Sequence, residues 1–199
     1  WFDKNKEKYL VAKENWEHVL DEALAVLAKS DKRFGELKGK GCAYRIYRDV
    51  RFSPDKTPYK SHLGASINVY GKKSMNAGIY VHIEPGKSFI AGGMWMPPGE
   101  MLKKIRQEID YNGKDLHKIL ENKTFKKYYG GLEMEYALKT TPKGYEKDHK
   151  DISFLRLTSF IVSHPFTDAE IMKSSFPKEI AKGGEILKPL NEFLNTSLD

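Results

Sequence analysis

Apolar residues recur every three or four positions near the start of the chain: Tyr9, Ala12, Trp16, Val19, Ala23 and Val26, with Lys and Glu between them. That period predicts an amphipathic helix over 3–30, broken by Ser30-Asp31 and then by Gly35, Gly39 and Gly41. The period then drops to two. Cys42, Tyr44, Ile46, Arg48 and Val50 fall on one face, with Arg45, Tyr47, Asp49 and Arg51 on the other, which predicts a strand. Pro54 and Pro58 make 53–58 a loop, because neither proline can donate to a ladder.

A second strand is expected over 62–70. Residues 78–84 and 88–95 read as a hairpin: Ile79, Val81 and Ile83 point one way, Tyr80, His82 and Glu84 the other, and Pro85-Gly86 supplies the turn. Pro97 and Pro98 suit the first turn of a helix over about 98–110, and a shorter helix carrying Leu116, Ile119 and Leu120 follows Asn112-Gly113. Residues 139–151 form a polar loop, and the alternation from Phe154 to Ser163 predicts another strand. Thr167 followed by Glu170 has capping-box spacing, and a last helix is expected from Pro177 to Leu194. Helices thus bracket a cluster of strands. The predicted class is α+β, an antiparallel or mixed sheet flanked by N- and C-terminal helices, in a single domain over 1–199.

Composition narrows the function classes. The chain has 199 residues, of which 31% are charged and 40% apolar, values of a folded globular protein. Thirty-four Lys and Arg against twenty-seven Asp and Glu leave a net charge of +7, which favours anionic partners, although the lysines are scattered and most read as a solvated surface. One cysteine, Cys42, excludes an intrachain disulfide and a Cys-based zinc cluster; a buried inert thiol and a reducing cytoplasm are expected. No apolar run approaches the ~20 residues that cross a bilayer, so no membrane partner is expected. The chain opens at Trp1 and not at Met, which leaves room for a removed N-terminal segment, a targeting peptide included.

The charged residues converge in one stretch. Arg45, Arg48, Asp49, Arg51, Asp55, Lys56, Tyr59, Lys60 and His62 lie within eighteen residues. Arg45, Asp49 and Arg51 share a strand face, where Asp49 could fork both guanidiniums and present fixed donors to a carboxylate or phosphate. The same interleaving could instead form a cross-strand ion-pair ladder that sets register. In the hairpin, a His beside a carboxylate is a proton-transfer or metal pair. One His and one Glu are short of a metal site, however, and His62 or His149 joins them only if the fold brings it close; a half-exposed polar sheet face is the expected reading, with no metal ligand assigned. Trp95 and Met96 are expected to cap the core, and Gly92-Gly93 to mark a bulge or a close backbone approach. There is no GxGxxG after a strand, no P-loop, no G-x-S-x-G elbow and no HExxH. These motifs leave the cofactor unspecified.

The segment RIYRDVRFSPDKTPYKSH, Arg45 to His62, resembles the signature of a bacterial family, also found within longer fungal proteins, catalogued as domain of unknown function 2461. Arg45, Arg48, Asp49, Arg51, Phe52, Asp55, Lys56 and Tyr59 fill its pattern. WFDKNK at the start, YVHIEPG at 80–86, GGMWMP at 92–97, PKGYEKDH at 142–149 and SFIVSHP at 159–165 are similar to the family as well. The resemblance implies an α+β domain and no named activity. Relative to the family the chain begins late, and an open edge near Trp1 is expected.

Three functions follow as expectations. The first is a ligand-binding domain, or an enzyme, that holds an anionic small molecule through Arg45, Arg48, Asp49, Arg51, Asp55, Lys56, Tyr59 and His62, with His82, Glu84 and Asp49 as acid–base candidates. It requires the three guanidiniums to line one pocket; guanidiniums splayed apart and each paired to a carboxylate would oppose it. The second is nucleic-acid binding, drawn from the +7 charge, eleven tyrosines and ten phenylalanines. The third is a structural or interaction module whose motif builds the fold. A long signature this rich in charged residues tilts the first stretch toward a site, because packing alone seldom dictates so many charges.

Overall fold

The computed structural model describes residues 2–198; Trp1, and the open edge expected there, lies outside them. Helix α1 (Phe2–Leu27) leads through a 3-10 turn (Lys32–Glu36) into the single-turn α2 (Gly39–Cys42). Strands β1 (Leu63–Ile67), β2 (Gly78–Ile83) and β3 (Ser88–Met94) follow, then α3 (Gly99–Glu121), α4 (Lys123–Tyr129), a 3-10 turn at Met134–Tyr136 and α5 (Ile152–Leu155). Strand β4 (Phe160–Phe166), α6 (Asp168–Ile171) and α7 (Phe176–Thr196) complete the chain. The strands form one antiparallel sheet in the order β1-β2-β3-β4, with helices at both termini. The class is α+β.

The chain resolves into two compact units: residues 2–72, 80–90 and 165–185, and residues 73–79, 91–164 and 186–198. In the first, α1 buries Trp16, Leu20, Ala23, Leu24 and Leu27, with Cys42, Ala65 and Ile67 also in this unit's core. The expected stripe holds at Trp16 and Ala23, but Leu20 and Leu27, not Val19 and Val26, go fully inside. Either register satisfies the helical period, and the leucines remove more apolar area from water, each side chain being worth about 1.5–3 kcal/mol when buried. The Gly39 N–H donates to the Asp21 carboxylate at 2.7 Å, tying α2 to α1.

In the second unit, Ile105, Ile109 and Leu116 of α3 are buried, as are Phe125, Leu155, Leu157, Phe160 and Leu187. The two helices expected on either side of Asn112-Gly113 are one helix with a kink at Asn112 (φ −117°, ψ 24°). Arg106 donates to the carbonyls of Leu155 at 2.7 Å and Leu157 at 3.3 Å. The strand expected over 154–163 divides: its first residues form α5, and β4 starts at Phe160. Alternation over so few apolar residues does not separate a helical turn from a strand. Gly93 sits at φ +104°, where a Cβ would overlap the Phe160 carbonyl, the close approach expected of Gly92-Gly93.

The β2–β3 hairpin follows its pattern as far as Val81. Ile79 and Val81 are buried while Tyr80, His82 and Glu84 are half-buried, and Ile83, expected inside, is half-buried as well. The expected capping box is present at Thr167 and Glu170. Among the described residues no helix is long and apolar enough to cross a membrane.

Candidate ligand and acid–base site

The strand expected over 42–51 is instead the outgoing half of an extended arm. The arm leaves α2 and returns into β1, held by isolated pairs at Ala43–Ala65 and Tyr47–Tyr59. Its backbone bonds run from Tyr44 N–H to the Gly64 carbonyl at 2.8 Å, Arg48 N–H to Pro58 at 2.9 Å, and Lys60 N–H to Ile46 at 2.8 Å. Pro54 and Pro58 interrupt the returning half, so a continuous ladder cannot form. Tyr59 stacks on Phe2 at 4.1 Å between ring centres and leans on Tyr47 at 5.5 Å, which fastens the arm to α1.

The arginines of the arm part company. Asp49 forks Arg51 alone, at 2.9 and 2.6 Å, and these bonds hold its carboxyl down at about 2. Arg45 touches that carboxylate only through its field. Arg48 pairs with Asp55, whose carboxyl is held below the usual range first by Thr57 and then by Arg48. Lys56 donates to the Val50 carbonyl at 2.9 Å. Phe52 is 94% exposed. The outer arm is therefore a set of internal ion pairs and turns, not a convergent pocket of three guanidiniums.

The base of the arm is different. Lys60 is half-buried and donates to the Arg45 carbonyl at 3.1 Å, while its ammonium lies 5.4 Å from the centre of the Tyr44 ring. Burial, and then the Arg45 charge, push the Lys60 ammonium down from its ordinary value. His62 is pushed down by burial, by His82 and by Lys60. Arg45, Lys60 and His62 thus crowd like charges, and among the described residues no carboxylate forms an ion pair with Arg45 or Lys60.

His62 faces the hairpin. Its ring lies 4.2 Å from that of His82, and Phe89 stacks on His82 at 4.8 Å with an interplanar angle of 12°. His82 is bonded at both nitrogens, to the Tyr80 hydroxyl through Nδ1 at 3.1 Å and to Glu84 Oε2 through Nε2 at 3.2 Å. The Ser61 hydroxyl donates to Glu84 Oε1 at 2.8 Å. His82, then Ser61, hold the Glu84 carboxyl below its usual value. One donor atom each from His62, His82 and Glu84 lie within 4.8 Å of one another. The hairpin alternation placed two of these three; His62 arrives because the returning arm runs into β1. Such a group can pass a proton between Glu84 and a ligand or take part in metal ligation.

His149 is elsewhere. Its Nε2 meets Asp110 at 3.0 Å, and its Nδ1 accepts the Asp151 N–H at 3.1 Å. Asp151 is 1% exposed and accepts from His117 at 2.6 Å, making a second His–carboxylate group from Asp110 and His117 of α3 and His149 and Asp151 of what the sequence showed as a polar loop. Its one signal was the His149-x-Asp151 spacing. Trp95 and Met96 are half exposed, with Trp95 set edge-on against Tyr136 at 4.8 Å; they do not cap the core. Cys42 is buried, and burial raises its thiol to about 11, so it is inert at neutral pH.

The chain matches, over residues 1–193, the model of a family described as Conserved hypothetical protein (DUF2461). No curated protein and no solved structure matches it.

Proposed function

We propose that this chain, which belongs to the DUF2461 family, binds an anionic small molecule bearing phosphate or carboxylate through Arg45, Lys60 and His62, with His82 and Glu84 as the adjoining acid–base pair. The observation that supports it is the cluster at the base of the arm, where Lys60 donates to the Arg45 carbonyl at 3.1 Å, burial and then the Arg45 charge push Lys60 down, and burial, His82 and Lys60 push His62 down. An anion placed there would offset the repulsion between Arg45 and Lys60 and favour the charged forms of Lys60 and His62. Arg48 and Arg51, committed to Asp55 and Asp49, hold the arm in shape and leave Arg45 to meet the ligand. The buried thiol and lone cysteine suit the cytoplasm as its compartment.

Thermal-shift screening with phosphate, pyrophosphate, nucleotides and dicarboxylates tests the reading. A ligand at a hundred times its dissociation constant adds about 2.7 kcal/mol, a rise of roughly 5–10 °C for a domain of this size. Arg45→Ala with Lys60→Ala should remove the shift while leaving the unliganded melting temperature in place. A screen in which no anion stabilises the protein, or a shift that survives the double substitution, overturns it.

A second reading, single-stranded nucleic acid along the arm, draws on the exposed Tyr47, between Arg45 and Arg48, and the exposed Phe52 beside Arg51. It predicts binding that weakens steeply with salt and with Phe52→Ala.

A further inference from the structure

We infer that His62, His82 and Glu84 form a binding site for one divalent first-row transition-metal ion. The inference stands on these ligands and not on the anion reading, and it is tested separately. The donor set is two imidazoles and one carboxylate, the combination that zinc, iron(II) and cobalt(II) take on one face of their coordination sphere, leaving further positions open. Bonds of about 2.0–2.2 Å to nitrogen and oxygen set neighbouring donors about 3 Å apart. His82 Nε2 and Glu84 Oε2 are already 3.2 Å apart, and all three donors fall within 4.8 Å. A side-chain rotation at His62 closes the remaining gap.

The surroundings resemble those that metal ligands need. A ligating histidine is oriented by a hydrogen bond at its other nitrogen, and a ligating carboxylate is held by a neighbour. Here the Tyr80 hydroxyl meets His82 Nδ1 at 3.1 Å, and the Ser61 hydroxyl donates to Glu84 Oε1 at 2.8 Å. Tyr80 can accept as readily as it donates, so His82 can carry its proton on Nδ1 and present Nε2 to the ion. Phe89 flanks the His82 ring at 4.8 Å, fixing its plane and keeping water from that side. The side chains of His82 and Glu84 are 12% and 22% exposed, which leaves an approach for the ion. With one negative ligand, a bound divalent ion keeps positive charge, and its open positions would take anionic ligands.

The test is titration of chelator-stripped protein with Co²⁺, followed by its absorption bands, and with Zn²⁺, by competition with a chromophoric chelator, both without added anionic ligand. One equivalent should bind. His62→Gln, His82→Gln and Glu84→Gln should each weaken binding at least about tenfold, and Tyr80→Phe by about tenfold with an altered Co²⁺ spectrum. His18→Gln serves as control, since His18 and Glu22 form an exposed pair at 2.9 Å that could hold metal adventitiously; it should bind like wild type. Circular dichroism confirms folding, and the half-exposed His62 and Glu84 variants decide the matter if His82→Gln does not fold. Absence of stoichiometric binding, binding unchanged in the folded triad variants, or binding lost with His18→Gln overturns the site. Loss of phosphate stabilisation in Arg45→Ala/Lys60→Ala would leave this result untouched, so the two proposals fail separately.

Discussion

Ser88 closes the hairpin that carries His82 and Glu84, and Ser88→Ala should show how firmly that closure is made. The Ser88 hydroxyl is 2% exposed; it accepts the Glu84 N–H at 3.0 Å and donates to the Glu84 carbonyl at 2.9 Å. The carbonyl also accepts the Lys87 N–H at 2.9 Å, so it keeps a partner in the variant. The Glu84 N–H does not. Two side-chain bonds at about 1 kcal/mol each, one of them leaving a part-buried donor unpaired, give a loss of about 2 kcal/mol. For a chain of this length that is a fall of roughly 4–8 °C in melting temperature. Urea unfolding followed by circular dichroism measures it directly, and the slope against urea should not change, because the surface exposed on unfolding is the same. Glu84 should also be less well placed, and Co²⁺ affinity should drop with stability. A change below about 0.5 kcal/mol would refute the reasoning, since it would mean the turn satisfies its own amide without the hydroxyl.

Gly113→Ala should cost about 1–3 kcal/mol by overpacking, because a Cβ there would overlap the buried Asp151 carboxylate; a chemical melt reads it. His62 titrates below its ordinary 6.5 in the folded chain, so the unfolded chain binds more protons just below that pH. Stability should therefore hold above pH 6.5 and fall as the pH drops through the folded value, and His62→Gln should flatten that part of the profile in melts taken across pH 5–8. Arg51→Ala should move the melting temperature by no more than about 1 °C, since the Arg51–Asp49 pair is exposed on both sides. A collapse of folding in that variant would instead favour a purely structural motif.

Strongly periodic segments were legible. Helix α1, the β2–β3 hairpin and the capping box at Thr167 each obey a local rule, and local rules are written in the residues themselves. The period puts Trp16 and Ala23 correctly on the buried face of α1 but misses Leu20 and Leu27, because Val19 and Leu20 both satisfy the helical period and only the packed core decides between them. The arm misled for a deeper reason. Its alternation of Tyr44, Ile46 and Arg48 against Arg45, Tyr47 and Asp49 yields only isolated pairs at Ala43 and Tyr47, because a strand also needs a partner, and the partner here is a segment punctuated by Pro54 and Pro58. The site was half visible. The spacing of His82 and Glu84 put both on one sheet face, whereas the approach of His62 depends on a chain reversal that no local pattern encodes. The same limit hid His117 and His149, whose carboxylate partners Asp151 and Asp110 lie 34 and 39 residues away along the chain.

The arm has one more consequence, for life in a crowded solution. Strand β1 is an outer strand of the sheet, and an outer strand offers unpaired amides to any stray extended chain. The arm occupies part of that rim itself, through Ala43 opposite Ala65 and the Tyr44 N–H on the Gly64 carbonyl. At the other rim, β4 carries Pro165, which withholds a donor, and the Glu133 N–H takes up the Ile161 carbonyl. An arm bristling with charges is a poor template for fibre growth. The segment richest in arginine thus also serves as a guard against self-association, whatever else it holds.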